Sequence, residues 1–288
     1  MTSNPGPLAK QLVAHRGACA YAPEHTLQSY RLALEQRADF VEQDLAVTKD
    51  GVLVSIHDLS LERTTDVRSV FPDRFVLDES GPEPVRRWLV NDFTLAEIKQ
   101  LDAGAWFSPA FAGARVSTFQ EAIDEVRGEA GLYPELKDPE FYRQRGIRTD
   151  ELFAEALRAN GLVDDPTTPV VAQSFDAATL KQLATDLPRI ARVILVEPTD
   201  IALLDSPRKI REIGTWATGL APSKSIVEEL PDVVRWAHDA GLTVTPWTFR
   251  SSNHGRYPSV RAEMEMFLYV YDVDAVFTDN PDQFPRRM

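Results

Sequence analysis

Two of the five histidines in this sequence stand at the ends of short apolar segments. His15 follows Leu12–Ala14, and His57 follows residues 52–56; each is followed by a charged residue. Histidine has an unperturbed pKa of ~6.5, so it gains or loses a proton near neutral pH. A single histidine is more often structural, but two in equivalent positions indicate a functional site.

Carboxylates occur with the spacing of a strand in the same kind of segment. Glu42 and Asp44 are two residues apart, and so are Glu135 and Lys137. Because side chains alternate along a strand, each pair points to one face. Such residues often face solvent, but in a parallel sheet both faces are usually covered. Three buried carboxylates need a cation, and an all-oxygen ligand set predicts Mg²⁺ or Ca²⁺.

The elements that position these residues alternate between strands and helices. Strands are predicted at Leu12–Ala14, Phe40–Val47, Gly131–Leu136, Val170–Gln173, Arg192–Val196, Thr218–Ala221, Thr243–Thr248 and Ala275–Thr278. Helical patterns separate almost all of them, including one long predicted helix over Ile226–Ala240. Eight such units predict an α/β protein with a (β/α)₈ TIM barrel. An open, doubly wound sheet is the alternative, although no GxGxxG follows the first strand.

One predicted strand interrupts this alternation. Residues 52–56 are separated from the second strand by only Thr48-Lys49-Asp50-Gly51, which is too short for a parallel crossover. The Asp-Gly pair favours a hairpin. The second strand is therefore predicted to turn and return, which would leave His57 near the level of Asp44.

A long irregular segment follows this hairpin. Residues 59–116 contain several prolines and seven aromatic residues, and the aromatic content argues against disorder. We expect this segment to be an insertion folded over the C-terminal face of the barrel, where the active sites of this fold lie. No linker or repeat marks a second domain, so residues 1–288 are expected to form one domain.

Composition excludes several classes of protein. The chain has 288 residues, 43% of them apolar, and a formal net charge of -13. Nucleic acid is therefore not expected as a partner, because binding phosphates requires a basic face. The single cysteine, Cys19, excludes an intramolecular disulfide and a cysteine-based zinc site. A small molecule is the expected partner, and the sequence leaves the oligomeric state open.

The sequence predicts no transmembrane segment, because no apolar run reaches the ~18 residues required. Met1 to Lys10 is polar and proline-rich and lacks the pattern of a signal peptide. The protein is expected in the cytoplasm, or in the periplasm or outside the cell if a signal peptide has already been removed.

A series of short motifs occurs in a fixed order along the chain. They are HRG at 15–17, PEHT at 23–26, EQD at 42–44, TKDG at 48–51, HD at 57–58, ELK at 135–137, QSF at 173–175, TPWTF at 245–249 and TDNP at 278–281. This ordered set resembles the glycerophosphodiester phosphodiesterase family. The resemblance implies a (β/α)₈ barrel with a metal-dependent site that cleaves glycerophosphodiesters to sn-glycerol 3-phosphate and an alcohol. Residues 65–94 resemble the members with a longer insertion, which are often exported and often calcium-dependent.

The resemblance also implies roles for individual residues. His15 and His57 correspond to the acid–base pair, and Arg16 and Lys137 to phosphate contacts. Which histidine is the acid, and whether water or the glycerol 2-hydroxyl attacks first, stay open.

The implied metal ligands are Glu42, Asp44 and Glu135, which would hold one divalent cation, Ca²⁺ or Mg²⁺. Gln173 ends a strand and could bind a substrate oxygen, while Trp247 is either a core aromatic residue or a wall for the glycerol. His25, where many members have asparagine, is expected to anchor the first loop, with a direct role left open.

Three alternative functions are compatible with parts of this pattern. A lysophospholipase D or sphingomyelinase D-like enzyme would keep the site and add an apolar groove. A non-catalytic barrel would only bind a phosphodiester or a protein. A carboxylate-based glycosidase would not need two histidines.

Overall fold

The computed structural model of the protein describes residues 9–286. The prediction about a signal peptide rests on Met1 to Lys10, and residues 1–8 of that segment lie outside the described residues. Within the described part, no helix is both long enough and apolar enough to cross a membrane.

Eleven strands are present in residues 9–286. They are β1 (Gln11–Ala14), β2 (Phe40–Val47), β3 (Leu53–Ser55), β4 (Val76–Asp78), β5 (Val85–Arg87), β6 (Gly131–Leu136), β7 (Val171–Ser174), β8 (Ala191–Val196), β9 (Gly219–Pro222), β10 (Thr243–Val244) and β11 (Ala275–Thr278). Eight of them form a parallel sheet in the order β10-β9-β8-β7-β6-β2-β1-β11. Backbone hydrogen bonds from Asp274 N to Val244 O (2.9 Å) and from Phe277 N to Pro246 O (3.1 Å) join its two edges. The predicted (β/α)₈ barrel is confirmed.

Eleven α-helices occur in residues 9–286, and those that connect the barrel strands cover the outside of the barrel. The eleven helices are α1 (Leu27–Glu35), α2 (Val67–Val70), α3 (Leu95–Ile98), α4 (Phe119–Val126), α5 (Pro139–Arg143), α6 (Thr149–Ala159), α7 (Ala177–Asp186), α8 (Pro207–Ile213), α9 (Lys224–Glu229), α10 (Asp232–Asp239) and α11 (Val260–Tyr269). Threonine side chains fix where two of them begin. Thr26 accepts a hydrogen bond from Ser29 N at the start of α1, and Thr118 forms a capping box with Glu121 at the start of α4.

Two predicted elements are wrong in extent. The helix predicted over Ile226–Ala240 is divided into α9 and α10, because Pro231 has no N–H to donate and disfavours helical geometry at Leu230, where φ is -130°. The strand predicted over Thr243–Thr248 pairs regularly only as β10. Beyond it, Pro246 lacks an N–H, and a single bridge joins Trp247 to Ser223.

The hairpin prediction is confirmed. β3 pairs antiparallel with β2, and Ile56 N donates to Asp44 O at 2.8 Å. The next residue, His57, therefore lies beside the carboxyl-terminal half of β2.

The stretch between β3 and α4 holds only short elements. These are α2, the β4–β5 hairpin, α3 and 3₁₀ turns at Val90–Asp92 and Pro109–Phe111. Its buried side chains, among them Trp88, Val90 and Phe93, belong to the same apolar core as residues of the barrel strands. Within the segment, Trp88 Nε1 donates to Phe71 O at 2.7 Å.

The barrel interior is apolar at one end and charged at the other. The apolar layer consists of Val13, Phe40, Tyr133, Val193, Leu195, Ala221, Ala275 and Phe277. Strand alternation then places Glu42 and Asp44 on the same inward face as Phe40, and Glu135 on that of Tyr133. The charged groups thus collect at the carboxyl ends of the strands, above a packed floor.

Candidate active site

The carboxyl ends of the barrel strands surround a pocket with a cavity volume of ≈ 130 Å³. All nine predicted site residues line it, namely His15, Arg16, Glu42, Asp44, His57, Glu135, Lys137, Gln173 and Trp247. Phe175, Leu195, Thr248, Arg250 and Phe277 complete the wall. The nine predicted residues thus come from the ends of six different strands and the loops that follow them.

Glu42 and Asp44 occupy the floor of this pocket, and both are buried. Glu42 Oε2 accepts a hydrogen bond from Arg16 N at 2.7 Å, and Asp44 Oδ2 accepts one from His25 Nε2 at 2.8 Å. Among residues 9–286, Asp44 Oδ1 has no hydrogen-bond partner, although it is fully buried. A buried carboxylate oxygen left free in this way is available to a cation.

Two cationic side chains border the same carboxylates. Lys137 Nζ lies 2.9 Å from Glu135 Oε1 and 3.9 Å from Asp44 Oδ1. Arg16 Nε lies 3.3 Å from Asp44 Oδ2. Arg16 adopts φ 56°, a left-handed backbone conformation that is uncommon outside glycine. Gly17 follows it at the turn that brings this cation back towards β2.

The acidic groups repel one another electrostatically. Burial, followed by the nearby Asp44 carboxylate, raises the pKa of Glu42 well above its ordinary value. Burial also raises the pKa of Glu135 to about 8, against the opposing effect of Lys137. Burial alone would raise the pKa of Asp44 as well, but Lys137, His25 and Arg16 hold it well below its usual value. The nearby cations thus favour the ionised form of Asp44.

This donor set fits a hard divalent cation. Three carboxyl groups supply only oxygen, and one of those oxygens is buried without a partner. His25, Glu42 and Asp44 also each offer one donor atom, and these atoms lie within 4.8 Å of one another. However, the Nε2 of His25 is hydrogen-bonded to Asp44 and its Nδ1 lies 3.1 Å from Tyr30 Oη. His25 therefore orients Asp44, a contact that the sequence did not indicate.

His15 is paired with an acidic residue from β11's carboxyl end. Its Nδ1 lies 2.7 Å from Asp279 Oδ1. Burial alone would raise the pKa of Asp279, but the hydrogen bond from His15 lowers it, so the carboxylate is ionised and Nδ1 carries the proton. The pKa of His15 is lowered by burial and by Arg16. Its Nε2 is consequently the unprotonated nitrogen at neutral pH.

His57 has an equivalent partner. Its Nδ1 lies 2.6 Å from Asp58 Oδ1, and Arg63 Nε donates to Asp58 Oδ2 at 2.6 Å. Arg63 also binds both oxygens of Glu24, at 2.7 and 2.9 Å. Burial would raise the pKa of Asp58, but the bonds to His57 and Arg63 lower it. The side chain of His57 is 35% exposed, against 13% for His15, so the two histidines lie at different depths.

Sequence reasoning did not assign Asp279 or Arg250 to the site. Asp279 belongs to the TDNP motif, and it continues the inward face of Ala275 and Phe277. The alternation of side chains along β11 was therefore the signal in the sequence that could have placed Asp279 in the site. Arg250 Nε lies 3.5 Å from Asp279 Oδ2, beyond the TPWTF motif, and nothing in its surroundings in the sequence distinguishes it.

The sequence profile of the glycerophosphoryl diester phosphodiesterase family matches residues 15–283. The chain belongs to this family. It is 33% identical over 282 residues to a glycerophosphodiester phosphodiesterase of Bacillus subtilis (strain 168), covering 94% of this chain and 84% of the relative. A glycerophosphodiester phosphodiesterase of Haemophilus influenzae is 39% identical over 330 residues, covering 95% of this chain and 88% of the relative.

Solved structures agree with this assignment. An Oleispira antarctica phosphodiesterase in complex with the product sn-glycerol 3-phosphate superimposes with a TM-score of 0.72 at 28% identity, over 96% of this chain and 95% of that one. The predicted fold, family and phosphodiesterase class are confirmed for this member of the glycerophosphoryl diester phosphodiesterase family.

Proposed function

We propose that the protein hydrolyses glycerophosphodiesters to sn-glycerol 3-phosphate and an alcohol. The observation that carries the proposal is the convergence of two histidine–aspartate pairs and three carboxyl groups in one pocket. The product found in the Oleispira antarctica structure supports the substrate class.

Glu42, Asp44 and Glu135 would hold one divalent cation, either Ca²⁺ or Mg²⁺. Such a cation neutralises charge on phosphoryl oxygens as it develops in the transition state. Arg16 and Lys137 face the same pocket, and both are largely buried. Their charges therefore act on the phosphate with little screening from solvent.

We assign the two histidines to opposite sides of the phosphorus. His15 lies deeper and has a lowered pKa, so its Nε2 accepts the proton of the attacking hydroxyl. His57 lies nearer the mouth, where a leaving alcohol of variable size can extend into solvent, and it donates a proton to that alcohol. The two aspartates hold each ring with Nε2 towards the substrate.

The glycerol moiety fits the inner wall of the pocket. Gln173 Oε1 is buried and has no hydrogen-bond partner among the described residues, so it can accept a hydrogen bond from a glycerol hydroxyl. Trp247 is fixed by its Nε1–H bond to Ala221 O at 2.7 Å and packs edge-on against Phe175. Together they form one polar and one apolar contact for a small polyol.

A groove beside His57 bears on the lysolipid alternative. It has a cavity volume of ≈ 640 Å³ and runs between the β4–β5 hairpin and Lys137. Asp58, Asp78, Arg87 and Asp138 line it beside a few aliphatic residues. Charged walls favour a polar alcohol over an acyl chain, so the water-soluble diester is the preferred substrate.

The test is release of sn-glycerol 3-phosphate from glycerophosphocholine by the purified protein. Activity should disappear after EDTA treatment and return with Ca²⁺ or Mg²⁺, and His57→Ala should abolish it. His254→Ala, which changes a loop histidine outside the pocket lining, is the matched control and should retain activity. Activity on lysophosphatidylcholine alone would replace the proposed substrate, and inactivity on both would contradict the enzymatic assignment.

A further inference from the structure

A second group of potential metal ligands lies beside the carboxylates. His15, Cys19 and Asp279 each offer one donor atom, and these atoms all lie within 4.8 Å of one another. The three residues come from the end of β1, the loop that follows it and the end of β11. The single cysteine excludes a zinc site built from several thiolates, but this mixed set of nitrogen, sulfur and oxygen donors needs only one. It contrasts with the oxygen-only set of Glu42, Asp44 and Glu135.

The two sets suit different cations. Thiolate and imidazole ligands favour Zn²⁺ and similar borderline ions, whereas carboxylates alone favour Mg²⁺ and Ca²⁺. Tetrahedral zinc with ordinary bond lengths places its ligand atoms ~3.3–3.7 Å apart. The Nδ1 of His15 and Oδ1 of Asp279 are now 2.7 Å apart, as a shared proton requires. Replacing that proton with zinc needs only a modest separation of the two side chains.

We propose that His15, Cys19 and Asp279 form an inhibitory zinc site. On binding, Zn–N, Zn–S and Zn–O bonds form to His15 Nδ1, Cys19 Sγ and Asp279. The thiol proton passes to solvent, the ring proton of His15 moves from Nδ1 to Nε2 through solvent so that the imidazole stays neutral, and water takes the fourth position. No atom changes oxidation state. The zinc separates His15 from Asp279, so the ring loses the orientation and charge on which its proton transfer depends.

The surroundings of Cys19 favour a metal site over a reactive thiol. Burial and the nearby Asp279 carboxylate raise the pKa of the thiol well above its ordinary value. The free thiolate is therefore scarce, and nucleophilic or redox chemistry is disfavoured. A bound cation removes that obstacle because it replaces the thiol proton. All three side chains are partly exposed, and His15 lines the open pocket, which gives a route of entry.

Binding can be measured without any assay of activity. Cys19 is the only cysteine, so a Cd²⁺–thiolate charge-transfer band in the ultraviolet reports this site alone. We expect the band to appear when Cd²⁺ is added to the wild-type protein in saturating Mg²⁺ and to be displaced by Zn²⁺. No band in the wild-type protein would overturn the proposal, whether or not the protein is a diesterase.

The inhibitory consequence rests on the proposed function and needs a second measurement. Zn²⁺ should inhibit release of sn-glycerol 3-phosphate, and Cys19→Ser should raise the half-inhibitory concentration by at least ~10-fold with basal activity unchanged. His238→Gln removes the histidine of another histidine–aspartate pair, at 3.0 Å from Asp274, and should leave inhibition unchanged. Equal zinc sensitivity in wild type and Cys19→Ser would refute the inhibitory role.

Discussion

Replacement of Asp279 by asparagine tests whether His15 depends on its carboxylate. The variant keeps the shape of the side chain but removes its charge. At Nδ1 of His15, an amide can offer either an oxygen or an NH₂ group. If the NH₂ group faces the ring, the proton moves to Nε2, and the nitrogen facing the pocket can no longer accept one.

The expected loss follows from the contact itself. The 2.7 Å bond joins a ring N–H to an ionised and largely buried carboxylate. A hydrogen bond to a charged group contributes ~1.5–3 kcal/mol, which corresponds to a factor of ~10 to ~150 in rate. The altered tautomer adds to this loss, and the corresponding change in serine proteases costs ~10⁴-fold. We therefore expect kcat to fall by ~10²- to 10⁴-fold, with KM nearly unchanged.

The assay is steady-state release of sn-glycerol 3-phosphate at saturating divalent cation. Asp282→Asn is the matched control, because it makes the same change three residues later at an exposed carboxylate bound to Tyr21 Oη. Circular dichroism and urea unfolding of both variants separate misfolding from loss of catalysis. A folded Asp279→Asn protein with wild-type kcat would refute the view that Asp279 orients His15.

The remaining predictions concern stability. Burial alone would raise the pKa of Glu24, but the bonds from Arg63 lower it from 4.5 to about 2, which corresponds to roughly 3 kcal/mol. Because the folded-state pKa of Glu24 is depressed, this stabilisation is present above pH 4.5 and is lost as the pH falls towards 2. The free energy of unfolding in urea should therefore depend less on acid pH in Glu24→Gln than in the wild-type protein. An unchanged dependence would contradict the stabilising role of the Glu24–Arg63 pair. Gly17→Ala should lower the free energy of unfolding by about 2 kcal/mol or more, because φ is +83° and the added Cβ would lie 2.7 Å from the carbonyl carbon of Ser29. Gly51→Ala has a similar φ of +81° but open space around it, so equal losses in the two variants would exclude the steric contribution.

Strand periodicity and turn chemistry were sufficient to predict much of the site. The two-residue spacing of Glu42 and Asp44 placed both side chains on one face, and the structure puts that face inside the barrel. The short Asp-Gly connection predicted the hairpin, whose register brings His57 beside β2. Both inferences rely on local geometry that any sequence of this pattern must obey.

Contacts between distant segments were not predictable in the same way. Asp279 lies 264 positions from His15 in the sequence, so only closure of the barrel brings the two together. His25, which contacts Asp44, has a left-handed backbone with φ 58°, a conformation that is uncommon outside glycine and that its sequence surroundings did not indicate. Pro231 could have been recognised as a helix break, since proline within a helical pattern is a strong signal.

The two ends of the segment between β3 and α4 lie next to each other. Ser55 N donates to Ser117 O at 2.8 Å, and an isolated antiparallel bridge joins Val54 to Thr118, so the whole excursion begins and ends at two hydrogen-bonded backbone segments. A loop with such a narrow base can change in length at a small entropic cost, which grows only with the logarithm of its length. The segment also supplies one wall of the groove beside His57. Exchange of the part of this loop beyond Arg63 between homologues is therefore expected to alter which alcohols the proposed phosphodiesterase accepts, while His57, Asp58 and the charged floor stay in place. That part of the loop is a natural unit for recombination and for engineered substrate range.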